Sequence, residues 1–335
     1  MRCLPEPSAA RHGGGMTDSL FRTARHIPVV EATPTAAVNP VTLPAPDRAL
    51  PLALRVTAPV TGSDLPVVLL SHGGGESTYL PSKDGYGPLV DFYAAHGFAV
   101  VQPTHLSARV GGLGLDPAAP GFPIFWRSRV ADLVRILDGL DEIEAQAPAV
   151  AGRLDHDRIA VVGHSGGSHT AAMLLGARLT DLEDGDGYLD PRVKAGVLLA
   201  PVGGGADVLP SLRERLPELS TDFSGMTTRT LVVFGDDDVS PALTARGADW
   251  HADPFHHGPG ADALLTLVGA KHFLGGVTGY DARESDDEDP DRLAVTQRMT
   301  WAYLRSALVE GDPAWARACE AFQEHGAAQG RVDRK

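Results

Sequence analysis

Six short runs of almost unbroken apolar residues recur along this chain, and they constrain its fold more than any other feature. Each run is rich in Val, Leu or Ile, which is typical of strands buried on both faces of a parallel sheet. The runs cover residues 67–71, 98–102, 159–163, 193–199, 230–234 and 264–268. A seventh run, residues 51–57, alternates loosely, as an early strand with one exposed face does.

Helical patterns lie between and after these runs. Residues 127–140 place apolar side chains at helical spacing, and residues 290–308 repeat the pattern behind an Asp289–Pro290 start, which suits an N-cap and a first helical position. Strands that alternate with helices indicate a doubly wound α/β sheet. We therefore predict one domain with a mostly parallel central sheet of about eight strands and helices on both faces.

Charge and cysteine content exclude several classes of protein. The chain has 43 acidic and 29 basic residues, a formal net charge of −14, and no basic cluster of the kind that nucleic-acid phosphates require. No apolar run approaches the ~18 residues of a membrane-spanning helix. Only Cys3 and Cys319 are present, so neither a disulfide framework nor a cysteine metal site is expected.

The first residues do not resemble an export signal, because residues 1–16 hold Pro, Arg, His and three consecutive glycines in place of an apolar segment. We expect a cytoplasmic protein in which residues 1–26 form a disordered arm, and the sequence leaves open whether translation starts at Met1 or Met16. The folded domain is predicted over residues 27–310. A partly helical tail, residues 311–335, follows it.

The motif Gly-His-Ser-Gly-Gly at residues 163–167 is the strongest chemical signal. It joins the apolar run at 159–162 to a helical pattern at 167–177. A serine on such a sharp strand-to-helix turn is held clear of the sheet, and the following helix N-terminus stabilises developing negative charge. The pattern predicts Ser165 as a nucleophile.

A serine nucleophile needs a base, and the base in turn needs a group that orients it. His272 follows the last apolar run, on the loop where it can reach the serine. Asp236, Asp237 and Asp238 follow the run at 230–234, at the strand end that faces the binding crevice of open α/β sheets. Position in the chain does not decide which of the three is the acid. Turn or helix-capping roles suit Asp236 and Asp237.

A glycine-rich loop, residues 71–75, directly follows the run at 67–71. Such a loop can direct a backbone N–H group into a site without obstruction by side chains. Together with the N–H of Gly166, the N–H of Gly74, or alternatively of Gly75, would stabilise a tetrahedral oxyanion. His72 is interpreted as a brace for this loop.

A substrate pocket is harder to predict than the catalytic groups. The candidates are aromatic or apolar residues near the motifs, with core packing as the alternative for each: Tyr79, Phe125, Trp126, His164 and Phe273. Two irregular stretches, residues 107–125 and 203–228, are either lids over the site or tolerated surface insertions.

No metal or cofactor site is predicted. His251, His256 and His257 lack the spacing and the partners of metal ligands and are interpreted as surface residues. The glycine-rich residues 111–114 lack the final glycine of a dinucleotide fingerprint, and residues 203–205 lack the Lys-Ser/Thr pair of a phosphate loop.

The order of these motifs over about residues 29–308 resembles the α/β-hydrolase superfamily. The loop at 71–75, the segment at 85–105 and the pairing of residues 129–140 with 158–167 resemble its chlorophyllase-like, dienelactone-hydrolase-like and platelet-activating-factor-acetylhydrolase-like esterases. Bacterial cutinase-like polyester hydrolases are near this branch. The resemblance implies hydrolysis of carboxylic esters by a Ser-His-Asp triad, and its G-x-x-D-x-x-P arrangement favours Asp238 as the acid.

Four departures prevent transfer of any one substrate. Dienelactone hydrolases have Cys where this chain has Ser165, chlorophyllases typically have Arg where it has Gly166, and the acetylhydrolase acid has no counterpart at residues 199–201. Secreted polyester hydrolases carry export signals and often a disulfide, and we expect neither here. We expect a cofactor-free ester hydrolase that forms an acyl-enzyme from uncharged, moderately apolar small-molecule esters. An acyltransferase or thioesterase with the same triad, and a non-catalytic binding module, are the alternatives. Oligomeric state, acyl-chain length and action on polymers are not predicted.

Overall fold

The structure is a computed structural model that describes residues 20–75, 77–279 and 286–335. Its strands are, in chain order, β1 (Thr35–Leu43), β2 (Leu52–Pro59), β3 (Leu65–Ser71), β4 (Ala99–Pro103), β5 (Leu154–His164), β6 (Arg178–Leu179), β7 (Val193–Leu199), β8 (Thr221–Asp222), β9 (Thr230–Gly235), β10 (Ala261–Leu267) and β11 (Gly330–Arg334). All seven predicted strands are present within a residue or two, except that β5 starts five residues and β10 three residues earlier than predicted.

Nine strands form one sheet in the order β1-β2-β4-β3-β5-β7-β9-β10-β11, while β6 and β8 form a separate antiparallel pair. The pairs β1–β2, β2–β4 and β10–β11 are antiparallel, and the strands between β4 and β10 are parallel. The predicted α/β class with a mostly parallel sheet is confirmed, with one strand more than expected.

The sequence pattern misses the two outermost strands for the same physical reason. β1 contains Asn39–Pro40 and a register shift between Val38 and Val41, and β11 has Val332 as its one apolar residue. An edge strand lacks a neighbour on one side, so it tolerates Pro, bulges and polar side chains. Edge strands therefore do not show the apolar runs that reveal the central strands.

The helices cover both faces of the sheet: α1 (Gly87–Ala95), α2 (Trp126–Asp138), α3 (Leu140–Gln146), α4 (Gly166–Leu174), α5 (Pro210–Arg215), α6 (Asp253–His257), α7 (Pro290–Leu308) and α8 (Ala314–His325). α1, α7 and α8 pack on one face, and α2, α3 and α4 on the other. α7 has its predicted start, since the Asp289 carboxylate accepts hydrogen bonds from the amides of Asp291 and Arg292. In the described part of the chain, no helix is long and apolar enough to cross a membrane.

Both terminal segments contact the central domain where the structure describes them. Residues 1–19, which include Met16, lie outside the described residues. The rest of the predicted disordered arm is ordered: the amides of Thr23 and Ala24 donate to the Asp291 carboxylate at 2.9–3.1 Å, and Ala24 is fully buried. The predicted tail contains α8 and β11, which extends the central sheet. Long-range hydrogen bonds, invisible to local patterns, integrate both segments into the domain.

Gly167 marks the tightest contact between helix and sheet near the Ser165 turn. A β-carbon at this position would overlap the carbonyl oxygen of Ser71 and would lie 2.8 Å from that of His72. The first turn of α4 therefore rests directly on the end of β3.

We predict that Gly167→Ala destabilises the fold by about 3 kcal/mol, because backbone atoms must move to accept the methyl group. Thermal denaturation should show a loss of roughly 5 °C or more. Gly87→Ala is the control, since its β-carbon would have no neighbour nearer than 3.9 Å. Equal melting temperatures for the two variants would contradict the importance of this contact.

Candidate active site

Ser165 occupies a strained position between β5 and α4. Its φ is 53° and its ψ is −122°, a region that residues with a side chain seldom adopt and that carries a cost in free energy. The Ser165 amide donates to the carbonyl oxygen of Leu199 at 3.0 Å, which ties the turn to the neighbouring strand β7. The predicted strand–serine–helix turn is therefore present.

One hydrogen-bonded chain joins the three residues predicted to form a triad. His272 Nε2 lies 2.8 Å from Ser165 Oγ, and His272 Nδ1 lies 3.0 Å from Asp238 Oδ2. The residues follow β5, β9 and β10, whose carboxyl ends meet at one edge of the sheet. This geometry allows His272 to take a proton from Ser165 while Asp238 holds the other ring nitrogen.

Of the three consecutive aspartates, Asp238 is the one that contacts His272. Asp238 is buried, whereas Asp236 and Asp237 are exposed. The Asp236 carboxylate accepts a hydrogen bond from the Gly269 amide at 2.6 Å, which is a turn-stabilising role. The tertiary fold thus distinguishes Asp238 from Asp236 and Asp237, which the order of residues in the chain alone did not.

The surroundings of Asp238 keep it ionised. Burial opposes ionisation, but the hydrogen bond from His272 and the nearby imidazoles of His272 and His251 outweigh it, so the pKa of Asp238 lies below its usual range. A carboxylate in this state holds the His272 ring in one orientation and stabilises its positive form.

The amides of Gly74 and Gly166 lie beside each other at the serine. A β-carbon on Gly166 would stand 3.8 Å from the Gly74 nitrogen. Within the described residues, no protein group accepts a hydrogen bond from either amide. Gly73 brings the loop this close, since a β-carbon there would lie 3.1 Å from both Ser165 Cβ and the His164 carbonyl oxygen. Two available donors next to a nucleophile suit a developing oxyanion.

His164 does not line a substrate pocket as predicted. Its side chain is buried, and both ring nitrogens have protein partners: Nδ1 lies 2.9 Å from the Tyr86 hydroxyl and Nε2 lies 2.8 Å from the His272 carbonyl oxygen. Burial lowers the pKa of His164 to about 3, and the nearby His272 adds to the effect. His164 is therefore a neutral connector beneath the site.

The other four predicted pocket residues lie in three different places. Phe273 is half-buried with its ring 5.7 Å from that of His272, so it lies at the site. Tyr79 is largely exposed and lines a cavity between α1 and the start of α7. Phe125 and Trp126 are buried at the start of α2 and line a different cavity. Neither cavity includes Ser165, Asp238 or His272.

The two irregular stretches meet in one apolar cluster next to the triad acid. Buried Val208, Leu219 and Trp250 form its centre, and partly buried side chains surround them: Ile124, Val202, Leu212, Leu216 and Leu243. Trp250 immediately precedes His251, which contacts Asp238. Ile124 from the first stretch and several residues from the second, 203–228, thus contribute to this cluster.

His251 is a site residue that the sequence analysis misinterpreted as surface. It is buried, with Nε2 3.5 Å from Asp238 Oδ2 and Nδ1 2.5 Å from the Pro201 carbonyl oxygen. The Asp238 carboxylate therefore faces two imidazoles. His251 lies outside the motifs, and only the path of residues 236–251 around the strand end brings it there.

A buried polar cluster behind the oxyanion loop was also missed. His105 Nε2 lies 3.0 Å from Ser71 Oγ and its Nδ1 lies 2.9 Å from Asp132, while Arg129 donates to the His72 carbonyl oxygen. The predicted bracing role of His72 matches its contacts, because its ring bridges the Gly73 carbonyl and the His105 amide. Charged residues on the apolar face of the 127–140 helix were the available signal.

In the described part of the chain, one group of residues has the spacing of a metal site: Asp141, Glu144 and His156. These side chains are wholly or partly exposed, and Glu144 Oε1 accepts hydrogen bonds from the amides of Arg153 and Leu154. Glu144 therefore has a structural role here.

Known proteins resemble the chain at moderate identity. A bis(hydroxyethyl) terephthalate hydrolase from Streptomyces coelicolor is 27% identical over 249 residues, which cover 71% of this chain and 68% of that protein. A cutinase from Thermobifida fusca is 26% identical over 75% of this chain and 78% of its own. Cutinase 2 from Thermobifida cellulosilytica is 28% identical over 57% of this chain and 67% of its own. No family model matches the chain.

The similarities agree with the mostly parallel sheet described above. They support the superfamily that the motifs resemble and the hydrolysis of carboxylic esters. The chain is a serine ester hydrolase with an α/β-hydrolase fold.

Proposed function

We propose that Ser165, His272 and Asp238 are the catalytic triad of this esterase and that the amides of Gly74 and Gly166 form its oxyanion hole. The observation that carries the proposal is the continuous Ser165–His272–Asp238 hydrogen-bonded chain, beside two amides that have no acceptor among the described residues. Each group is within reach of the atom on which it must act.

The proposed reaction has two halves. Ser165 Oγ attacks the ester carbonyl carbon as its proton moves to His272 Nε2, and the carbonyl oxygen becomes an oxyanion held by the two amides. The intermediate collapses, and His272 gives its proton to the departing alkoxide. Water then attacks the acyl-enzyme by the same route, with His272 again as base, which releases the acid and restores the Ser165 hydroxyl.

We propose neutral, moderately apolar esters as substrates, with small aromatic diesters of the bis(hydroxyethyl) terephthalate type among them. The half-buried Phe273 beside His272 and the apolar cluster around Trp250 favour such groups. The net charge of −14 disfavours anionic esters. One relative is named for a substrate of this kind. We also propose that the chain belongs to the branch of the superfamily that holds the chlorophyllase-like esterases, near the cutinases.

Ser165→Ala should lower kcat for p-nitrophenyl butyrate by roughly 10⁴-fold or more, because the nucleophile is lost. The variant should also no longer be labelled covalently by a fluorophosphonate. Ser224→Ala is the control, because Ser224 is exposed and bonds only its own turn. Its activity and labelling should equal those of the wild type. Labelling of Ser165→Ala at the wild-type rate would show that another residue is the nucleophile.

Asp238→Asn should lower kcat by about 10³- to 10⁴-fold, because an amide no longer stabilises the His272 imidazolium or its required tautomer. Asp237→Asn, the matched control one residue away, should stay within about twofold. The measurement is steady-state hydrolysis of one p-nitrophenyl ester at constant ionic strength. Similar losses in both variants would remove Asp238 from the role of triad acid.

The substrate proposal predicts that bis(hydroxyethyl) terephthalate is hydrolysed at least about tenfold faster than its anionic monoester at low salt. The difference should shrink as ionic strength rises, since screening weakens the repulsion. Product analysis with added alcohol tests the alternative function: transesterified product in excess of free acid would favour an acyltransferase. Faster hydrolysis of the anionic monoester would contradict the substrate proposal.

A further inference from the structure

A buried line of hydrogen bonds runs beneath the active site and connects three of its loops. The Gly73 amide donates to the Tyr86 hydroxyl at 2.9 Å. That hydroxyl lies 2.9 Å from His164 Nδ1, and His164 Nε2 lies 2.8 Å from the His272 carbonyl oxygen. The side chains of Tyr86 and His164 are both about 2% exposed. The line therefore ties the oxyanion loop, the serine turn and the His272 loop together.

The hydrogens in this line have one consistent arrangement. A carbonyl oxygen accepts only, so His164 Nε2 must carry the hydrogen that it donates to His272. In the neutral ring Nδ1 is then an acceptor, and it takes the hydroxyl hydrogen of Tyr86. The hydroxyl oxygen accepts in turn from the Gly73 amide. The burial that keeps His164 neutral is what allows this arrangement.

The backbone holds Tyr86 in a conformation that costs free energy. Its φ is 62° and its ψ is 21°, the left-handed region that bulky residues rarely adopt. The Tyr86 amide donates to the Thr278 carbonyl oxygen at 2.9 Å, and α1 begins at the next residue. This conformation directs the phenol toward Gly73 and His164, because its hydroxyl lies within 3.2 Å of where a Gly73 β-carbon would be.

We propose that Tyr86 and His164 are positioning residues that set the oxyanion amide and the catalytic base at a matched distance from Ser165. Gly73 precedes the proposed donor Gly74, and the carbonyl held by His164 belongs to the proposed base His272. An error of 1 Å between donor and base costs about 10²-fold in rate. This inference rests on the proposed triad mechanism.

The test compares Tyr86→Phe with Tyr93→Phe. Tyr93 lies in α1, is fully buried and donates its hydroxyl to Thr300 Oγ1 of α7 at 2.7 Å. Both variants lose one buried hydroxyl and keep the ring. Tyr86→Phe should lower kcat by about 10- to 30-fold with KM within about twofold, and Tyr93→Phe should leave both parameters within about twofold of the wild type.

A second readout separates positioning from loss of folded protein. An alkyl boronic acid forms a tetrahedral adduct on the serine and uses the oxyanion donors, so its inhibition constant should rise in Tyr86→Phe by about the factor that kcat falls. His164→Gln, which keeps one donor and one acceptor, should retain more activity than His164→Leu. If Tyr86→Phe does not fold, the comparison of His164→Gln with His164→Leu tests the positioning role in its place.

The outcomes distinguish this inference from the proposed function. If the wild type hydrolyses esters and Ser165→Ala does not, yet Tyr86→Phe and His164→Leu retain wild-type kcat, the positioning role is overturned and the triad stands. A rise in KM with unchanged kcat also overturns it, since that result assigns the pair to substrate binding. If Ser165→Ala keeps full activity, the triad proposal fails, and this inference fails with it.

Discussion

The contact between α4 and the end of β3 is the constraint on which the site depends. No side chain fits at Gly167, where α4 meets the Ser71 carbonyl oxygen, or at Gly73 without crowding Ser165. Because the two glycines let the backbones touch, the serine turn and the oxyanion loop lie side by side. The positive φ of Ser165 is a cost of this arrangement, and the packing around it offsets that cost.

Buried polar groups surround this contact and hold the loops in register. On one side, His105, Asp132 and Arg129 brace Ser71 and His72. Burial strongly affects their ionisation: it lowers the pKa of His105, lowers that of Arg129 to about 10 and raises that of Asp132 to about 6. Such groups are tolerated in the interior because each has hydrogen-bond partners, and a missing partner would leave a costly unpaired group.

The histidines near the triad have different surroundings and therefore different capacities. His164 and His251 are buried, and burial lowers the pKa of each, although the charge of Asp238 acts in the opposite direction. His272 is about one-third exposed in its side chain and contacts both Ser165 and Asp238. Only His272 combines access from the cleft with a nucleophile and a carboxylate as partners, which is the arrangement a proton-transferring base requires.

The sequence by itself determined the α/β class and the seven central strands, and it predicted Ser165 and His272 as catalytic residues, because buried parallel strands and a strand–serine–helix turn have local signatures. The choice of Asp238 came from resemblance, and burial then distinguished it from Asp236 and Asp237. Edge strands β1 and β11, the terminal contacts to Asp291 and the positions of Tyr86, His164 and His251 depend on residues far apart in the chain. Long-range packing decides which polar groups lose water and which partners they gain, and no local pattern of residue types encodes that outcome.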